Sequence, residues 1–169
     1  MPDKRTLQRV KRDKREGKAP TTQAGEFIRE EFEHIREGKH GARSPRQAIA
    51  IGLSKARRAG VELRTPAPGQ QSESTRRKAE RDYQRGHGAP PSRRATAKRR
   101  SATTRALKRE SRASASSSAI SAQAHRSATR RSKSQRSAAA KRAVRTKGAH
   151  GRRVAARKAA RTRAARARA

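Results

Sequence analysis

Apolar positions are crowded into one short stretch of the chain. Seventeen residues are Met, Leu, Ile, Val, Phe or Tyr, and nine of them (Phe27, Ile28, Phe32, Ile35, Ile49, Ile51, Leu53, Val61 and Leu63) fall between residues 27 and 63. At about 100° per residue, Ala24, Ile28, Phe32 and Ile35 share one helical face with Phe27 at its margin. That pattern predicts a helix over about residues 23–37, with Thr21 or Thr22 as its cap. Glu26, Glu30, Glu33 and Glu37 gather on the opposite side, a face either solvated or docked against the basic tail of the same or another molecule.

A second helix, over about residues 45–59, has the best-marked start in the chain. Ser44 supplies an N-cap hydroxyl, Pro45 a φ already set for the first helical position, and Gln47 an amide placed to reach back to the cap N–H. Gly60 stands where a left-handed C-terminal residue is wanted. Ile49, Gly52, Leu53 and Ala56 make a narrow apolar stripe, small enough at its middle for close helix approach. Ile51 points away from that stripe and needs another partner: the Val61–Leu63 segment, the N-terminal arm or a second copy of the protein. The seven residues of GKHGARS join the two helices, which predicts an antiparallel hairpin. Nine large side chains are too few to stabilise such a hairpin alone, so flanking segments, self-association through the hairpin, or a ligand must complete it.

Outside the hairpin the periodicity is lost. Residues 1–20 read as a frayed basic arm, 21–64 as the hairpin, 65–92 as a linker with one short helix (RRKAERDYQR), and 93–169 as an Arg/Ala/Ser-rich tail. Within the tail, SRASASSSAISAQAHRSATRRSKSQRS reads as a low-complexity spacer. The last segment is rich in Ala and Arg, both good helix formers, but Arg153, Arg157 and Arg161 repel at i, i+4 spacing. The fold class expected is therefore mainly α with extensive disorder: a small antiparallel helical hairpin plus a long basic low-complexity tail, helical at most in part.

Charge turns this pattern into a functional expectation. Residues 1–82 carry 21 basic and 12 acidic groups, whereas residues 83–169 carry 27 Lys and Arg against Glu110 alone. A polycation of this kind gains binding energy when counterions leave a phosphate backbone. The residues expected to make phosphate contacts are Arg93, Arg94, Lys98, Arg99 and Arg100, then Arg130, Arg131, Lys133 and Arg136. Lys141, Arg142, Arg145, Lys147, Arg152 and Arg153 follow, and after them Arg157, Lys158, Arg161, Arg163, Arg166 and Arg168. Lys55, Arg57 and Arg58 join them from the last turns of the second helix.

On a helical wheel the cations of residues 152–168 fall on every side. This argues against a membrane-surface helix, which needs an oily face, and against base-specific reading, which needs a few side chains in fixed register. With two Phe and one Tyr, the chain is poor in platforms for stacking single-stranded bases. DNA is thus favoured over RNA as partner, no membrane is expected, and the place of action is the cytoplasm, at the nucleoid. The alternatives are an RNA- or ribosome-associated basic protein, and a protein–protein adaptor that its tail tethers to nucleic acid.

Other chemistry finds little support in the sequence. His34 and His40 are six residues apart across the expected turn and read as ordinary surface histidines, with no metal and no cofactor expected. Asp3, Asp13 and Asp82 lie outside the only segment expected to fold, no phosphate-binding loop motif is present, and no catalytic residue is assigned; an enzyme is not expected. The chain has no Cys, so thiolate chemistry and disulfides are excluded.

The block GARSPRQAIAIGLSKARRAG, residues 41–60, resembles a segment of small bacterial basic proteins in which a capped helix of the form QAIAI-x-LS-x-AR-x-AG adjoins a Lys- or Arg-rich tail. In composition, the later Ala/Lys/Arg sequence is similar to bacterial linker-histone-like proteins, a resemblance that implies nucleoid binding.

Overall fold

Two helices form the hairpin, α2 (Pro20–Arg36) and α3 (Pro45–Arg58), in a computed structural model that describes residues 2–89 and 97–167. Ala24 and Phe27 pack with Ala56, Ile28 with Gly52, and Phe32 and Ile35 with Ala48, so the two helices run antiparallel. The small middle of the stripe works as expected: a Cβ at Gly52 would lie 2.8 Å from Ile28 Cα, so only glycine admits this approach.

The helix ends follow their local chemistry, with two departures. Ser44 Oγ accepts the Gln47 N–H at 3.3 Å, while the Gln47 side chain reaches one residue further back than expected and accepts from Arg43 N at 2.7 Å. Gly60 adopts φ +81° and passes Val61 N–H to the Ala56 carbonyl at 3.1 Å, which brings Val61 into the core beside Ala56. The other departure is at the start of α2, where Pro20 holds the first helical position after Ala19 and makes no use of the Thr21 or Thr22 hydroxyl as a cap. The fixed φ of proline sets the boundary there.

The largest correction concerns what surrounds the hairpin. Among the described residues the chain forms seven α-helices and one 3₁₀ turn, not a hairpin with a disordered tail. The arm expected to fray is α1 (Lys4–Arg15), packed on α2 with Leu7 and Val10 against the cluster of Ala24, Phe27, Ala56, Val61 and Leu63. Polar contacts fix it where two apolar residues alone would not: Arg9 pairs with Glu26 at 2.7 Å and Asp3 with His34 at 3.1 Å, while the buried Asp13 holds Lys18 just after the helix at 2.7 Å.

The linker's short helix is α4 (Glu73–Gly86), longer than RRKAERDYQR because Ser72 caps it by accepting from Thr75 N at 3.4 Å. It packs on α3 through the buried Asp82, which accepts from Ser54 Oγ at 2.6 Å and Arg58 Nε at 2.7 Å. Ile51 lies one turn before Ser54 and two before Arg58, so by register it belongs to the face of α3 that meets α4. Tyr83 of α4 and His87 just after its end both bond Glu62, at 2.7 and 2.9 Å, and stack with ring centroids 4.0 Å apart.

The expected Ser/Ala spacer is also structured. After α5 (Ala97–Arg109) come the 3₁₀ turn Arg112–Ala115 and α6 (Ser117–Thr129). Ala115 is buried in the second core cluster with Phe32, Ile35, Ala42 and Ala48, and Ile120 packs against them. Small side chains make this docking possible. Gly41 N–H reaches the Leu107 carbonyl at 2.8 Å and Ala42 N–H the Ser111 carbonyl at 3.2 Å, while a Cβ on Gly41 would fall on the Glu110 carbonyl.

The chain divides into two compact units, residues up to Gln123 and residues from Ala124 on. In the second, α7 (Lys133–Ala167) consists of two helical stretches that meet at a kink at Gly148, where the backbone is not helical (φ 63°, ψ 179°). The expectation of a tail helical at most in part is overturned here. Twelve of these residues are Ala, and propensity summed over so long a run outweighs arginine repulsions of a few tenths of a kcal/mol per pair.

Candidate nucleic-acid interface

The cations expected to meet phosphate fall into two groups with different surroundings. On α7, Lys133, Arg136, Lys141, Arg142, Arg145 and Lys147 precede the break at Gly148, and Arg152, Arg153, Arg157, Lys158, Arg161, Arg163 and Arg166 follow it. All thirteen are exposed, α7 buries no residue, and no Asp or Glu occurs after Glu110. Arg130 and Arg131 are exposed in the turn before α7, and Lys98 is exposed on α5, which also carries Arg99 and Arg100. Arg93, Arg94 and Arg168 lie outside the described residues. Arg105, Lys108 and Arg109 of α5 and Arg126 of α6 are exposed cations that the sequence reading passed over.

Lys55, Arg57 and Arg58 are each engaged by groups of the fold, Arg58 while still exposed. Lys55 Nζ lies 2.7 Å from Glu31 Oε2 and 3.2 Å from Glu30 Oε1, both carboxylates being 1 % exposed. Burial opposes the Lys55 charge, but Glu31 and Glu30 outweigh it and hold the ammonium pKa above its ordinary value. Arg57 is buried and donates to the carbonyls of Leu63 and Arg64 at 3.3 and 3.5 Å, which satisfies that stretch of backbone. Desolvation pulls the Arg57 pKa down, with Asp82 opposing it. Arg58 is the third, on Asp82.

The acidic side of α2 is not solvated along its whole length. Glu26 holds Arg9, Glu30 holds Lys55 and accepts Asp3 N–H at 3.2 Å, while Glu33 and Glu37 remain exposed. Basic groups do meet the first half of this face, but they come from the arm and from α3.

A cluster that periodicity did not show gathers where α2 ends. His34 and His40, expected at the surface, have side chains only 12 % and 18 % exposed. Nε2 of His40 lies 3.2 Å from Glu31 Oε1, and Nε2 of His34 lies 3.1 Å from Asp3 Oδ2. The ligand atoms of Glu31, His34 and His40 lie within 4.8 Å of one another, as do those of Asp3, Glu30 and His34. The available signal was the i, i+3 spacing of Glu31 and His34.

No family model matches the chain, nor does any curated protein or solved structure. Among the described residues, no helix is long and apolar enough to cross a membrane.

Proposed function

We propose that the protein binds nucleic acid without sequence preference, through phosphate contacts of α7 and its flanks, and that its main ligand is duplex DNA, which it coats and compacts at the nucleoid. The observation that carries this reading is α7: two helical stretches over 35 residues, kinked at Gly148, with thirteen exposed cations and no acidic residue. At a rise of about 1.5 Å per residue each side of the Gly148 break is about 20–30 Å long, enough to follow a duplex for most of a helical turn. Cations on every side suit backbone contact and bundling of strands rather than docking of one helix face in register. The resemblance of the tail to linker-histone-like proteins supports the same reading.

The adaptor alternative loses ground from the surface of the first unit. Among the described residues the large apolar side chains classed as exposed are Val144 and Val154, both on α7. The hairpin's apolar faces are covered by α1, by Val61 and Leu63, and by the 3₁₀ turn, which removes the need for a second copy. Competition between random duplex DNA and structured RNA for the full chain, at physiological salt, tests the choice of polymer. Retention of DNA against an equal mass of RNA is expected; displacement by RNA would replace the DNA reading with the RNA one.

A further inference from the structure

Nucleic-acid binding leaves the cluster at the end of α2 without a role. Glu31 and His34 leave α2 from the same face. Gly38, at φ +77°, closes that helix by passing Lys39 N–H to the His34 carbonyl at 3.0 Å. The chain then turns back and brings His40 to Glu31, with Nε2 and Oε1 3.2 Å apart.

The contacts do not add up to a closed set of ion pairs. Glu31 is 1 % exposed, and with Lys55 Nζ 2.7 Å from Oε2 its Oε1 is left without a hydrogen-bond partner. His40 Nδ1 lies 3.0 Å from the Gly41 carbonyl, which can only accept, so Nδ1 carries a proton. That leaves Nε2 facing Glu31 Oε1. Two atoms bound at about 2.0–2.1 Å to one tetrahedral ion lie about 3.3 Å apart, close to the spacing found here.

We propose that Glu31, His34 and His40 form a binding site for a divalent transition ion of the zinc class. Two imidazoles and one carboxylate suit a borderline ion, whereas calcium and magnesium require oxygen donors throughout. Lys55 holds one oxygen of Glu31 and leaves the other for the ion. The Gly41 carbonyl fixes the His40 tautomer, as outer partners of metal-bound imidazoles do. Asp3 brings a further carboxylate to His34, so the ion ties the end of α2 to the turn before α3 and to the start of α1. Its role is structural, and the carboxylates of this region offset the repulsion a cation meets in a chain of net charge +35.

The test is titration of the full, nucleic-acid-free chain with Co²⁺ alone, read by visible absorption, followed by displacement with Zn²⁺ and native mass spectrometry. One equivalent per chain is expected, with a melting temperature that climbs with Zn²⁺ concentration. His40→Ala and Glu31→Gln should each weaken binding by about tenfold or more, and His87→Ala should leave it unchanged. Circular dichroism establishes that each variant is folded, and His34→Ala replaces Glu31→Gln if burial of the new amide prevents folding. Absence of saturable uptake, or uptake that survives both His34→Ala and His40→Ala, overturns the proposal.

Discussion

The two units are both rich in Lys and Arg and use them in opposite ways. In the first, Arg9, Lys18, Lys55 and Arg58 each meet a carboxylate within 3.2 Å, and the carboxylates of Asp13, Glu30, Glu31 and Asp82 are buried by these pairs. In the second, α7 has cations and no acid. The difference teaches that where acids accompany the basic residues some cations are taken up in holding the fold, whereas after Glu110 no acid in the sequence competes for them. Net charge alone does not separate the two uses, as Lys55 and Arg57 demonstrate.

The broadest way to break this comparison is to separate the units. Truncation after Gln123 should lower affinity for random duplex DNA by two or more orders of magnitude, while the remaining chain still unfolds in one cooperative transition by circular dichroism. Comparable DNA affinity in the truncated protein would move the binding surface from α7 to exposed cations of the first unit such as Lys98, Arg105, Lys108 and Arg109.

A single substitution tests the same distinction from the other side. Lys55→Met leaves Glu30 and Glu31 buried without their ammonium and should cost about 3 kcal/mol in urea unfolding, with DNA affinity unchanged under conditions where the protein is folded. Loss of DNA affinity without loss of stability would restore Lys55 to the interface. Gly52→Ala probes packing without charge: its Cβ would press on Ile28 Cα, and a loss of about 2 kcal/mol is expected by the same measurement.

The smallest effect is one of pH. The Tyr83 carbonyl, followed by the Glu62 carboxylate, raises the pKa of His87 above its ordinary value. A raised value in the folded state means that this clasp stabilises fully below about pH 6.5, the unfolded value, and loses its contribution as pH rises through the folded one. Melting temperature followed from acid to mildly alkaline pH should fall more in the parent than in His87→Asn; parallel curves would mean that the exposed clasp contributes nothing.

The hairpin could be read from the sequence because a 3.6-residue period and two marked ends are local features. Ser44, Pro45 and Gly60 act within a turn of where they stand, and Gly52 announces a close approach without naming its partner. The rest of the first unit was hidden because its contacts are polar or between small residues. Arg9 with Glu26, Asp82 with Arg58, and Gly41 against the Glu110 backbone leave no apolar period. Ala115 is one alanine in a Ser/Ala run, and only tertiary contact with Ile35 and Ala48 distinguishes it. The basic surface was legible from composition, but which cations are free was not, since pairing of Lys55 with Glu31 depends on the crossing of α2 and α3. The histidine cluster needed the same crossing and the turn at Gly38.

The proposal is that exposed cations of α7 and its flanks bind phosphate backbone. Its most direct measurement is the affinity of the full chain for random duplex DNA as a function of salt. Neutralising seven or more phosphates gives a log–log slope of about −6 or steeper, at about −0.9 per phosphate, and this is the result expected. A slope near −2 would mean that only about two phosphates are met, and would contradict α7 as the binding surface.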